Sequence, residues 1–408
     1  MHRKLIIFLL LCSAARGAVT IPKWYDDRVC AVLWTGDDMA STVRTHPSQT
    51  NRWYGFLDAA DFAIDKGLVF NPACLYSDDG SFLGMDAFGY AELQSRMNIS
   101  EYLPGMHGWN HAVDMSASTI EAQFFTSTVN RVTNFDLLDQ HSYKGIGHPA
   151  SFVKWGGVTT PADWYGATYW GEGGSVRTLL ASQNYLVVRH WSDTIGLGEP
   201  MVWNVAYGMY DDINPTDGVA DVLAGDFSSF DYAYANSNFY MLYNHPWKPD
   251  ELVYGVSNAA WEAWGDYHGG RLDVLYTDLD SMTMYEYLRT RAAPAITETN
   301  TATYYKMTVV GDGAERDKYG LSYPLTYKID KPAEWGESTP YSVQYRDTGS
   351  WSSMTEKTTN DFFTGINCYR DETNVVYVSQ GLPQNSDQFE IKLRRTDRGR
   401  IPAFFRTP

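Results

Sequence analysis

Short apolar runs stopped by Gly or Asp alternate, in this chain, with segments whose apolar residues recur at helical spacing. That alternation restricts the possible folds more than any other feature. "DRVCAVLW", from Asp27, reads as a buried strand ended by "TGDD". "NRWYGFLDAADFAIDKG" follows with helical periodicity and a glycine stop. "LVFNPACLYS" reads as a second strand with Pro72 in its middle, "MDAFGYAELQSRMN" as a helix, and "ISEYLPGMHGWNH" as the end of a third strand. Helix-like "SASTIEAQFFTSTVNRVTNFDLLDQ" comes next. Strand and helix in turn are the signature of parallel βα units, whose strand carboxyl ends gather functional groups on one face.

From "GHPASFVKWGG" to about Gly225 the alternation blurs into Gly-, Trp-, Tyr- and Asp-rich sequence, read as long loops. It returns with "SNFYMLYNHPWKP", a strand ending at His245, and a helix through "DELVYGVSNAAWEAWGDY". "RLDVLYTDLDSMTMYEYLRTR" supplies a last strand and a helix closed by basic residues, as the helix dipole favours. After Arg291 short alternating β-segments take over, punctuated by Gly, Pro, Asn and Asp. A boundary near Ala293 divides residues 19–292 from an all-β accessory domain over 293–408.

Residues 1–18 read as a secretory signal: His2, Arg3 and Lys4, the apolar run "LIIFLLLC", then small residues. The run is too short to span a bilayer, so the mature chain is expected to begin near Ala18 or Val19 and to be secreted, extracellular or at the cell surface. Without Cys12, three cysteines remain, Cys30, Cys74 and Cys368, allowing at most one disulfide. The formal net charge of −17 repels nucleic acid and anionic lipid and suits neutral or cationic partners. The 14 Trp and 29 Tyr serve sugar stacking and a β-rich core equally. Asn98-Ile99-Ser100 is a glycan acceptor triplet.

His107 and His111 stand four apart where the third predicted strand ends. That spacing lets two imidazoles meet at one divalent cation, although so short a motif also arises by chance. A third ligand is expected from another strand end. Asp37 and Asp38 of "TGDD" offer one carboxylate for the ion and one for protons; a turn or helix cap explains the same residues. Asp78 and Asp79 of "YSDDGS" compete for the role, and an exposed turn beside Gly80 accounts for them. His245 closes a strongly apolar strand and so falls on the same predicted face.

Taken in order, "TGDD", "HGWNH", "GHPASF" and "YMLYNHP" resemble the motifs of the polysaccharide deacetylase family of metal-dependent carbohydrate esterases, over roughly residues 27 to 292. The resemblance implies a distorted (β/α) barrel of about seven parallel strands, followed here by the small β-sandwich. It implies Asp38, His107 and His111 as ligands of a divalent metal, zinc by donor type, Asp37 as general base and His245 as general acid. The substrate class implied is an N- or O-acetylated sugar of a polysaccharide or glycan.

Several positions depart from the family pattern. Gly36 stands where an aromatic is usual, Gly108 replaces a Ser or Thr, Met39 a glycine, and His148 an arginine that holds the base. Asp193 in "RHWSD" aligns as the partner that would tune the acid. Trp109, Trp155, Trp164, Trp170 and Trp247 lie near the motifs, either stacking on sugar or packing under loops. The altered segment also fits a surface glycan-binding protein that retains the fold without turnover.

Overall fold

The computed structural model describes residues 19–45, 50–77, 84–100, 102–107, 133–135, 151–153, 178, 187–189, 194–196, 209–212, 224–244, 258–314, 323–333, 335, 339–357, 367–381, 383 and 387–396. The signal-like segment 1–18 lies outside them. So do Asp78, Asp79, Gly108, Trp109, His111, His148, Trp155, Trp164, Trp170, Asp193, His245 and Trp247.

The chain opens with β1 (Val19–Thr20) and then a ten-residue strand, β2 (Cys30–Met39), buried throughout. Helix α1 (Thr50–Lys66) follows because Trp53, Phe56, Ala60 and Ala63 recur three or four apart and form one buried stripe. Gly67, at φ +66°, ends it in the left-handed conformation that glycine takes at no steric cost. Then come β3 (Phe70–Cys74), α2 (Ala87–Ser100) and β4 (Gly105–Met106). Later elements are β5 (Ser151–Val153), β6 (Val187–Arg189), β7 (Thr194–Gly196), β8 (Met209–Asp212) and α3 (Ser228–Ala235). The α/β part closes with β9 (Phe239–Asn244), α4 (Asn258–His268), β10 (Val274–Tyr276) and α5 (Leu279–Thr290).

The expected seven-stranded barrel is not formed. Six parallel strands make one open sheet in the order β4-β3-β2-β9-β8, with β10 also paired to β2. A barrel closes only when its outer strands pair, and among the described residues β4 and β8 do not. Two features account for this. The outer strands are short, two residues for β4 and four for β8. In addition, β5, β6 and β7 form a separate three-stranded sheet in which β6 and β7 are antiparallel, which breaks the βα repeat. The fold is therefore mixed α/β with open sheets.

Strand β2 is the hub. One edge pairs with β9 from Ala31 to Gly36; the other pairs first with β10, from Cys30 to Val32, and then with β3, from Trp34 onward. Trp34 is fully buried, with ring centroids 4.7 Å from Phe70, 4.7 Å from Trp261 and 5.2 Å from Trp264. Lys66 ties α1 to α4 through ion pairs with Glu262 and, at 2.5 Å, Asp266. Pro72 is tolerated inside β3 for a geometric reason. The Cys74 carbonyl accepts from His107 N–H, so Pro72, two residues earlier, faces the β4 side at a level before that pairing begins.

After Ala292 come β11 (Ala295–Asn300), β12 (Tyr304–Val310), β13 (Leu325–Asp330), β14 (Tyr341–Arg346), β15 (Ser352–Ser353), β16 (Thr355–Glu356), β17 (Cys368–Asp371), β18 (Val375–Gln380) and β19 (Gln388–Arg395). They form two five-stranded sheets, β1-β13-β18-β17-β16 and β11-β12-β19-β14-β15. Tyr327 of the first meets Phe389 of the second at 5.7 Å. The first sheet includes β1, from the other end of the sequence. Tyr25 Oη bonds Ser379, Asp26 N–H donates to Thr326 Oγ1 at 2.7 Å, and Lys328 pairs with Asp27 at 2.6 Å. Asp26 also pairs with Arg370 at 2.9 Å, yet burial pushes its carboxyl up to about 6, against the pull of Arg28 and Arg370.

Cys30, Cys74 and Cys368 are all buried free thiols, so the single possible bridge is not made. No helix among the described residues is long and apolar enough to cross a membrane.

Candidate functional site

The site begins at the carboxyl end of β2. The register against β3 shifts between Gly36 and Met39: Gly36 pairs with Pro72 and Met39 with Cys74, so Asp37 and Asp38 together oppose Ala73. This is a bulge, and Asp38 occupies it at φ 69°, a conformation that non-glycine residues seldom adopt and that aspartate, with asparagine and histidine, tolerates better than most. A regular strand sends adjacent side chains to opposite faces; the bulge interrupts that alternation. Both carboxylates are buried among the strand ends.

His107 arrives from the other side of β3. It follows β4 directly, its N–H donates to the Cys74 carbonyl at 2.9 Å, and its ring is buried. Its Nε2 lies 3.1 Å from Asp38 Oδ1. The two residues are 69 positions apart in sequence and meet because β2, β3 and β4 lie side by side with their carboxyl ends together. Across the other edge of β2, Asn244 is level with Gly36, so the residue before His245 is level with the residue before Asp37.

Local packing explains why glycine stands at position 36. A side chain at position 36 would run into the Phe70 ring and come within 3.1 Å of Phe56. Phe70 thus fills the space into which a Cβ at position 36 would project.

Asp278 belongs to the site's support and escapes a motif reading. It is buried just after β10, where its Oδ1 accepts from Ser281 N–H at 2.7 Å and caps α5. Its Oδ2 accepts from the N–H of Leu103 at 3.1 Å, holding the stretch that leads into β4 and His107. Asn71 bonds the Leu103 carbonyl, and Tyr76 Oη donates to the Gly105 carbonyl at 3.1 Å. The only signal in the sequence is the Asp-x-x-Ser spacing of "DLDS", which reads as a helix start.

An imidazole nitrogen and a carboxylate oxygen this close are the donor types that zinc and its neighbours take. Asp38 and His107 therefore fit a metal ligand pair. No group of three or more metal-ligating side chains occurs among the described residues, and His111, expected as the third, lies outside them. A cavity of about 330 Å³ between Leu68, Val69, Ile99 and Leu272 lies at the opposite, amino-terminal ends of the strands and contains none of these groups. Comparison with known proteins finds no family model that matches the chain and no curated sequence that matches it.

Proposed function

We propose that the protein is a divalent-metal-dependent hydrolase that removes acetyl groups from N- or O-acetylated saccharides, of the polysaccharide deacetylase type that its motifs resemble. The observation that carries this reading is the approach of His107 Nε2 to Asp38 Oδ1 at 3.1 Å, beside Asp37 at the bulge.

Asp38 and His107, together with His111, would hold the ion. When bound, a divalent cation supplies Lewis acidity toward an acyl carbonyl. Asp37 removes a proton from the attacking water as its oxygen bonds to the acetyl carbon. The bond from that carbon to the sugar nitrogen or oxygen then breaks. His245 gives its proton to the departing group, leaving acetate and a free amine or hydroxyl. Export to the extracellular space or the cell surface belongs to the same proposal, resting on the basic, apolar and small residues of segment 1–18.

Acetate release from a panel of acetylated oligosaccharides is the test. A chelator abolishes it and zinc restores it. Asp37→Asn and His245→Ala each lower it by about 10²- to 10⁴-fold, the usual contribution of a positioned acid or base. Undiminished release by Asp37→Asn overturns the assignment, and so does zinc uptake without turnover on any acetylated sugar.

A further inference from the structure

The outward face of the sheet β11-β12-β19-β14-β15 concentrates positive charge that the fold does not require. Alternate residues there point inward, with Tyr305, Met307, Val309, Ile391 and Leu393 all buried. Their neighbours face out. Lys306 stands directly opposite Lys392, and Arg394 is paired with Tyr304 on one side and Ser342 on the other. Like charges placed opposite each other destabilise a sheet.

Glu390 offsets part of this, pairing with Lys306 at 2.5 Å and with Arg346. Burial works against its ionised form, but those hydrogen bonds outweigh it and hold the carboxyl below its ordinary value. Lys392 and Arg394 have no ion pair among the described residues. Burial, then Arg394 and Arg346, make the ammonium of Lys392 easier to deprotonate than usual. Trp351 holds two of the cations in position: Lys392 Nζ lies 3.7 Å and the Arg346 guanidinium 4.6 Å from its ring centroid. The face lines an open groove of about 830 Å³. Gln344 lines it, and its amide oxygen is buried with no hydrogen-bond partner among the described residues.

We propose that this face binds an anionic saccharide, whose acidic groups meet Lys392 and Arg394 and whose hydroxyls meet Ser342. The proposal does not depend on the acyl-transfer reading. Charge complementarity at this face requires an anion, the local cations acting against the overall charge of −17 that opposes every polyanion alike. One observation favours a sugar over nucleic acid: single strands need aromatic faces on which bases stack, and Trp351 has its ring occupied by Lys392 and Arg346.

Calorimetric titration of the full-length protein decides the matter. The probes are hexasaccharides of polygalacturonate, of a sulfated galactan and of neutral galactan, with a single-stranded hexanucleotide as the competing class. At least one acidic sugar is expected to bind at least about tenfold more tightly than the neutral one, and which it is separates carboxylate from sulfate. Raising salt from about 0.1 M to about 1 M shortens the screening length from about 10 Å to about 3 Å and should cost at least about tenfold in affinity. Lys392→Ala with Arg394→Ala is expected to cause a similar loss without lowering the thermal midpoint, while Lys392→Arg retains binding. If the double variant does not fold, the salt series and Lys392→Arg still decide. The proposal fails if the neutral sugar binds as tightly, if the hexanucleotide binds more tightly than both acidic sugars, or if neither acidic sugar binds at about 1 mM.

Discussion

Replacing Gly36 by alanine puts a methyl group against the Phe70 ring, and Phe70 is itself wedged between Trp34 and Phe56. Overpacking of this kind costs about 1–3 kcal/mol, which a denaturant melt of Gly36→Ala should show, together with reduced acetate release because Asp37 is the next residue. His268 gives a second residue-scale prediction. It sits among Phe230, Tyr240 and Trp264, and its Nδ1 lies 2.7 Å from the Trp264 carbonyl. Burial lowers its pKa from 6.5 to about 4. The unfolded chain therefore takes up a proton below pH 6.5 that the folded chain refuses. Stability falls as pH drops from 6.5 to 4, by about 3 kcal/mol at most, and is fully present above that window. Asp26 acts with the opposite sign. Its raised carboxyl contributes stability that is present below about 3.8 and lost as pH rises through about 6. Chemical melts of His268→Phe against the parent between pH 4 and 7 isolate the histidine contribution. An unchanged slope would show that its burial carries no protonation cost.

At the scale of elements, Asp278 joins α5 to the approach to β4. Asp278→Ala removes a helix cap and leaves the Leu103 N–H without its acceptor, at a cost of about 1–3 kcal/mol. If the Leu103 bond positions His107, the variant also loses metal affinity; a variant with lower stability but parental affinity would limit Asp278 to the cap. Nine strands and helices of the α/β part were readable because each announces itself locally: β2, α1, β3, α2, β4, β9, α4, β10 and α5 overlap segments whose periodicity or apolar run points to them. The short strands β5, β6, β7 and β8 fall in the Gly- and Trp-rich stretch read as long loops, and α3 in no segment that was read. Three or four residues carry too little periodicity to stand out, and eight carry little more. The course of β2 through Asp37 and Asp38 was not readable, because Gly-Asp-Asp reads as a turn and only pairing with β3 shows the bulge. The cap at Asp278 was recognisable as a helix start, but its bond to Leu103 joins residues 175 apart and leaves no local trace.

At the scale of the whole molecule, barrel closure was the expectation that failed, for the same reason. Periodicity states what each segment becomes, whereas closure depends on which distant edges pair, and β10 and β3 share a single edge of β2. That Asp38 and His107 belong together was an implication of the motif resemblance, since the residues by themselves left Asp37, Asp78 and Asp79 as alternatives; the two meet because β2, β3 and β4 are neighbouring parallel strands. A metal held by that pair should raise the thermal midpoint of the whole chain, since binding to the folded state stabilises it by about 2.7 kcal/mol at a hundred times the dissociation constant. Zinc should shift the parent, and Asp38→Asn or His107→Ala should abolish the shift; an equal shift in all three would place the ion elsewhere. The C-terminal sheets are equally bound into the whole. Tyr25 and Tyr285 are buried with rings 5.8 Å apart, and each also packs against Tyr323. A chain ending at Ala292 should therefore show lower soluble yield and a lower melting point than the full chain. The pairing of β1 with β13 adds a constraint in time. Val19 waits for Ile329, some three hundred residues later in synthesis, so no nascent chain can finish this sheet while its last third is still on the ribosome. Limited proteolysis of stalled nascent chains should find the Tyr25 segment cleavable until β13 has emerged.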